Sequence, residues 1–325
     1  MEYPVLFHMV SDTRAAGFVE DQSEVDAIEA VVHPFGPRLV RLYWLLVHPS
    51  FPILHQKGFM DQFSESYRNV PAALLGAVCL KALAWWSYDS ELSLRPPPNA
   101  ARLQKLTLDA IQNSFHRPRL DSIEAMLVYL HCNLEPPLTP DHTFARGLTS
   151  QTLAVAEALG LHVDASGWAI PAWERAQRKR LSWALYMQDK WTALAHGRPS
   201  HIIDENWDVR DLCGADFEEE RDDTFEEDGG RPGTAREVPG KAQFVLMIDL
   251  TRILSRAISA FFTVRASRDQ DTSGLLEKAR PILEDLASWR QRLLVTTLPM
   301  STVRPRQLCS AGRYQPTSLP VRRSL

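Results

Sequence analysis

Cysteine is scarce in this chain and never paired. Cys79, Cys132, Cys213 and Cys309 lie far apart, and no C-x-x-C occurs. That excludes a disulfide scaffold and a zinc ribbon. Cys79 and Cys132 sit in apolar stretches and read as small core residues, which fits a reducing compartment. An excess of positive charge is also missing: 36 Lys and Arg stand against 40 Asp and Glu, for a net charge of −4. The overall basic footprint of a nucleic-acid binder is therefore lacking. No apolar run approaches the roughly 20 residues needed to cross a bilayer. Met1 to Val10 contain Pro4 and His8 and lack a basic segment followed by an apolar one, so no secretory leader is expected. Alternation of period two and any fixed-period repeat are absent, which argues against sheets and solenoids.

What is present is helical periodicity. Of the 325 residues 45% are hydrophobic, enough for one large core or two modest ones. Leu39, Leu42, Tyr43 and Leu46 form an amphipathic stripe that His48-Pro49 ends. Pro71 to Trp86 reads as a mostly buried helix, and Leu103, Leu106, Ala110 and Ile111 mark the next. Asp121 and Glu124 stand in capping-box positions before a helix carrying Ile123, Met126, Leu127 and Leu130. A further helix spans about Phe144 to Leu159, with Gly160 as its left-handed cap. The longest signal runs from Pro171 to His196, where Arg180 interrupts an apolar stripe, Gly197 stops the helix and Pro199 bars its return. Two last helices cover about Lys241 to Arg265 and Ser273 to Leu294, the second kinked or divided at Pro281. The fold class this predicts is all-α: an irregular multi-helix domain with an acidic loop insertion.

Three segments depart from that pattern. Residues 1–30 are polar and acidic and read as a flexible lead-in ahead of a helical domain over 31–300. Asp204 to Asp228 holds thirteen acidic residues and two arginines before a Gly/Pro breaker, so 204–240 is expected to be a mobile acidic loop. Residues 301–325 carry five arginines, no acid and no periodicity, which predicts a disordered basic tail.

Chemistry is hard to find. His131-Cys132, His48 with His55, and His196 with His201 lack the spacing that places two metal ligands on one helix face. Asp222-Asp223-Thr224-Phe225-Glu226 has the carboxylates of a magnesium–diphosphate motif, but it lies in a charge-dense stretch without a second motif. There is no G-x-S-x-G, no phosphate loop and no nucleophile with a recognisable base. Arg175, Arg178, Lys179 and Arg180 read as a solvated basic face rather than a phosphate site or import signal. Trp168, Trp173, Trp183 and Trp191 read as core rather than a ligand pocket.

The motifs reach further. Arg41 to His55, which contains His48, Pro49, Phe51, Pro52 and His55, resembles the "HPxFPILH" start of the fungal-specific transcription factor domain. This is the middle homology region of six-cysteine zinc-cluster regulators. Arg178 to Trp191, with Arg180, Trp183 and Asp189, resembles its "RRRxWWxLYxxDR" helix. Ala195 to Ile202, with Gly197, Arg198 and Pro199, resembles its "GRPxxI" loop, and Ala154 to His162 its "A…LGLH" helix. His33 to Gly36, Asp164 to Trp168 and Met187 to Trp191 are similar to the co-activator branch serving nitrogen catabolism, including GABA use. The resemblance implies a nuclear regulator of RNA polymerase II transcription, of nitrogen or carbon catabolic genes. It acts through effectors, other regulators or self-association, and neither as an enzyme nor at a membrane. An effector sensor without catalysis, or an all-α enzyme with a buried pocket, are the alternatives. The family's zinc cluster needs C-x2-C-x6-C near its N-terminus, and no cysteine precedes Cys79, so no cofactor and no direct DNA contact carries over to any residue here. A truncated or mis-spliced gene model is the expectation for both ends. Arg198 is expected to pair with the last helix carbonyls, Asp204 or Asp208, and so to hold the 196–202 turn structurally.

Overall fold

The computed structural model describes residues 18–132, 142–218, 239–268 and 272–297. These form ten α-helices. Among the described residues there is no β-strand, and Val163 and Asp208 make one isolated parallel bridge. The chain is an all-α domain, as its periodicity predicts.

The first difference from the sequence reading is at the start. Helix α1 covers Phe18–Val32, where a lead-in through residue 30 is expected. Val25, Ile28 and Val32 recur at helical spacing and are fully buried. The acids that make this segment look unstructured lie on its other face: Asp26 pairs with Arg68 at 2.7 Å, and Asp21 accepts the Ala72 N–H at 3.2 Å. Residues 1–17 lie outside the described residues.

Helix α2 (Gly36–Leu42) passes into one π-helical turn, Tyr43–Val47, closed by the His48 N–H on the Tyr43 carbonyl at 2.9 Å. α3 is Gln56–Glu65 and α4 Ala72–Leu83, the latter buried along nearly its whole length. α4 is the axis of the N-terminal half, packing on α1, α2, α5 (Ala100–Ser114) and α6 (Leu120–Leu130). α6 then meets α7 (His142–Ala158) and α8 (Ala172–His196). α9 (Pro239–Phe261) lies between α8 and α10 (Thr272–Thr297). α10 runs through Pro281 as one helix, so the proline does not divide it.

The Asp121–Glu124 capping box does not form. Asp121 instead accepts Arg119 Nε at 2.8 Å, and Glu124 turns inward, 4% exposed, to accept Gln177 Nε2 from α8. Burying a carboxylate costs more than a cap contributes, so this exchange depends on the packing of α6 against α8. The acidic insertion also differs from expectation. Asp204–Asn206 and Gly214–Phe217 are short 3-10 turns packed on α8, and Asp216 and Phe217 are buried. Residues 219–238, with the Asp222–Glu226 run, and 298–325, with the arginine-rich tail, lie outside the described residues.

Candidate functional site

The motif residues converge on α8. Its inward face carries charge, where the sequence suggests a solvated basic cluster. Arg180 is 3% exposed; its Nη1 donates to the Asp216 carbonyl at 2.5 Å and Nη2 to the Leu54 carbonyl at 3.4 Å. Lys179 Nζ meets both Asp216 carboxylate oxygens, at 2.9 and 3.0 Å. Arg178 bonds Glu174 at 2.9 Å, caps the Leu159 carbonyl at 2.9 Å and lies over the Trp168 ring. Guanidinium groups are suited to this use, because a planar fork satisfies several buried carbonyls at once. Of the cluster, Arg175 too turns to backbone, donating to the Trp168 and Ile170 carbonyls.

The 48–55 turn is held from both sides. Phe51 stacks parallel on His131 with centroids 4.4 Å apart, and Pro52, Ile53 and Leu54 are buried. His55 caps α3 by accepting the Gly58 N–H at 3.3 Å, and its ring stacks on Trp173. Burial, with the Arg180 and Lys241 charges nearby, pushes the His48 imidazole down to about 3. Pro49 lies beside the start of α9, where a Cβ added at Gly240 would meet the Pro49 carbonyl oxygen at 2.0 Å. Trp183 is buried and donates Nε1 to the Arg210 carbonyl at 2.9 Å. Trp191 reaches Thr251 on α9 at 2.8 Å, while Trp173 is half exposed.

The turn after α8 is ordered by Asp189, not by Arg198. Gly197 takes the left-handed conformation with φ +58°, and the Arg198 N–H donates to the Ala193 carbonyl at 3.0 Å. The chain therefore folds back along α8. Asp189, 1% exposed, then accepts Ser200 Oγ at 2.5 Å and the His201 N–H, the His201 Nδ1 and the Ile202 N–H at 3.0 Å each. Burial alone would raise the Asp189 carboxyl; these hydrogen bonds outweigh it and hold the group below its usual value. Lys190 Nζ donates to the Ile202 carbonyl at 2.8 Å and pairs with Asp204 at 2.9 Å. The Arg198 side chain is exposed, and neither Asp204 nor Asp208 receives it; Asp204 takes Tyr186 Oη and Ser255 Oγ instead. Arg146 on α7 donates to the Pro199 carbonyl at 2.9 Å. On that same side His201 Nε2 stands 2.8 Å from Ser150 Oγ.

A groove of about 610 Å³ opens between α8, the 204–209 segment, α9 and α10. Trp183, Tyr186 and Trp207 supply its aromatic wall, and Arg252 lies over Trp183 at 4.3 Å. Ion pairs Arg256–Asp285 and Arg292–Asp249 join α9 to α10 at its rim. Among the described residues no group of three His, Cys, Asp or Glu comes together to hold a metal. No helix of the described residues is long and apolar enough to cross a membrane.

Residues 40–291 match the fungal specific transcription factor domain. The chain belongs to this family. It is 31% identical to the transcriptional activator protein DAL81 of Saccharomyces cerevisiae, over 90% of this chain and 32% of that protein. It is also 31% identical to an uncharacterized transcriptional regulatory protein of Schizosaccharomyces pombe, over 71% of this chain and 33% of the other. The acetamidase regulatory protein of Aspergillus fumigatus is 25% identical over 84% of this chain and 32% of its own length. The chain thus spans about a third of these relatives. No solved structure matches it.

Asp189, Gly197 and Arg180 were legible as motif residues. The contacts made by Glu124, Ser150, Ser200 and His201 were not. They lie 11 to 53 positions from the residues they bond, and only the reversal at Gly197 brings Ser200 and His201 back to Asp189.

Proposed function

We propose that this chain is the regulatory domain of a fungal transcription factor that acts in the nucleus and controls RNA polymerase II transcription of nitrogen or carbon catabolic genes. It works through effectors, other regulators or self-association, and not as an enzyme. DNA contact belongs to a zinc cluster separate from the described residues. The family match over residues 40–291 carries this role. The names of the related activator and acetamidase regulator support the catabolic assignment. The geometry suits a switch, because α8 gathers the 48–55 turn, the 196–202 turn and the 204–217 segment onto one helix. Buried polar contacts of Arg180 and Asp189 link all three to this helix.

Fusing the chain to a heterologous DNA-binding domain and measuring a reporter tests the role. Output is expected to change with the nitrogen or carbon source. Identical output on every source, with the fusion expressed and nuclear, would overturn it.

The groove beside Trp183 favours a second role, a sensor that binds a small effector without chemistry. Its aromatic wall and alternating Arg and Asp residues provide both stacking and charge contacts. Saturable quenching of tryptophan fluorescence by a metabolite, lost in Arg252→Ala, separates the sensor from a pure interaction surface.

A further inference from the structure

Ser150, His201 and Asp189 stand in a line. Ser150 Oγ lies 2.8 Å from His201 Nε2, and His201 Nδ1 lies 3.0 Å from Asp189 Oδ1. The three come from two helices and a turn, so no linear pattern announces them. An ionised carboxylate only accepts, so Nδ1 carries the ring proton toward Asp189. With Nδ1 as the donor to Asp189, Nε2 is the acceptor left for the Ser150 hydroxyl. That is the arrangement of nucleophile, base and orienting carboxylate that activates serine in acyl transfer, recognised by geometry rather than by position in the chain. The carboxylate end is unusually firm. Asp189 is 1% exposed and its two oxygens also hold Ser200 Oγ and the N–H groups of His201 and Ile202, so the imidazole has little freedom to turn away.

The serine end is open. Ser150 is only partly buried, the His201 side chain is 27% exposed, and Gly147, one turn before Ser150, leaves empty space where a side chain would stand. Arg146 lies one turn before Ser150 on the same helix face, with Nη1 fixed on the Pro199 carbonyl at 2.9 Å. The competing acceptor for the Ser150 hydroxyl, the Arg146 carbonyl, is farther away at 3.2 Å.

We propose that Ser150 is an activated serine that accepts an acyl group from an activated acyl ester. The Ser150 oxygen attacks the ester carbonyl carbon and forms the new C–O bond. His201 Nε2 takes the hydroxyl proton. The bond to the leaving alcohol breaks with its electron pair, and the proton passes to that alcohol. Ester and serine thus become acyl-serine and free alcohol, with no oxidant or cofactor. Acylation removes the hydrogen that Ser150 shares with His201 and so cuts one of two ties between α7 and the 196–202 turn, leaving the Arg146–Pro199 bond. This makes the residue a covalent input to the regulatory hub, and it stands on its own residues whether or not the hub controls transcription.

Incubating the folded chain with p-nitrophenyl acetate and mapping acetyl groups by mass spectrometry tests this. Ser150 is expected to be acetylated at least about tenfold faster than the exposed Ser90 and Ser166 of the same molecule, the size of effect general-base assistance readily supplies. His201→Gln should abolish that preference, as should unfolding in guanidinium. The comparison between serines within one folded protein remains valid if the variant fails to fold. No acetyl group on Ser150, or labelling at the rate of Ser90 and Ser166, would overturn the proposal. Labelling unchanged in a folded His201→Gln would do so too.

Discussion

The Ile202 N–H donates to Asp189 Oδ2 at 3.0 Å, binding the far end of the 196–202 turn to the middle of the helix it leaves. With Ser200 and His201 on the same carboxylate, the turn is a closed loop built around one buried charge.

Asp189→Ala should therefore be severe. It strands two backbone donors in a buried setting, which costs about 2–4 kcal/mol. Arg198→Lys and Arg198→Ala should stay within about 0.5 kcal/mol of wild type, because the exposed guanidinium has no charged partner in the turn. Urea denaturation of the three variants decides between the two residues. The pH dependence has a definite sign. The folded Asp189 carboxyl sits below its ordinary value of 3.8, so its contribution is complete above that value and is lost as pH falls through the lower folded one. Asp189→Ala should lose less stability than wild type in that acid range.

Arg180 joins three segments from one buried position. Arg180→Ala should cost about 3 kcal/mol, since it leaves the Leu54 and Asp216 carbonyls without this donor. Arg180→Lys should recover only part of that, because an ammonium cannot span both carbonyls. Chemical denaturation gives the ranking, and equal stability of all three proteins would show that the guanidinium is dispensable.

Glu124 titrates in the opposite sense to Asp189. Burial, with Asp121 nearby, pushes its carboxyl from 4.5 up to about 8, and hydrogen bonding by Gln177 only partly offsets this. The folded protein holds this proton more tightly than the unfolded chain, so stability falls as pH rises from about 4.5 to about 8 and levels off beyond. Glu124→Gln removes the ionisation and keeps an acceptor for Gln177. On that shift it should exceed wild type by about 4 kcal/mol at pH 9 and by little at pH 5. Denaturation curves at the two pH values check it, and a difference independent of pH would place Glu124 in a solvated state.

Gly160 and Gly197 both end helices at positive φ, +72° and +58°, but their surroundings differ. A Cβ at Gly160 would meet Trp168 Cη2 at 2.8 Å, whereas at Gly197 nothing lies within 4 Å. Gly197→Ala should cost about 1 kcal/mol from the backbone alone, and Gly197→Asn less, because asparagine tolerates this conformation. Gly160→Ala should cost about 2–3 kcal/mol, since the indole must also move. Thermal melts of the three variants give the order.

The sequence alone determined what depends on neighbours a few positions apart. The all-α class follows from apolar residues at three- and four-residue spacing, as in Leu39, Leu42 and Tyr43. The ends of α7 and α8 follow from Gly160 and Gly197, whose conformations are local. The family resemblance lay in the short strings around His48–His55, Arg178–Trp191 and Gly197–Ile202. Only tertiary structure decided where charge goes. In α1 the acids that suggest a flexible start are the outer face of a helix whose inner face, Val25, Ile28 and Val32, is buried. Glu124 fits a cap by position, yet α8 offers it Gln177 inside the core. Asp204 and Asp216 belong to a run that composition reads as loop, yet Lys190, Ser255 and Lys179 hold them on the helices. The physical reason is the same in each case. Apolar periodicity is a property of one segment, whereas a buried polar or charged group is stable only with a partner from another, and no single segment records who that partner is.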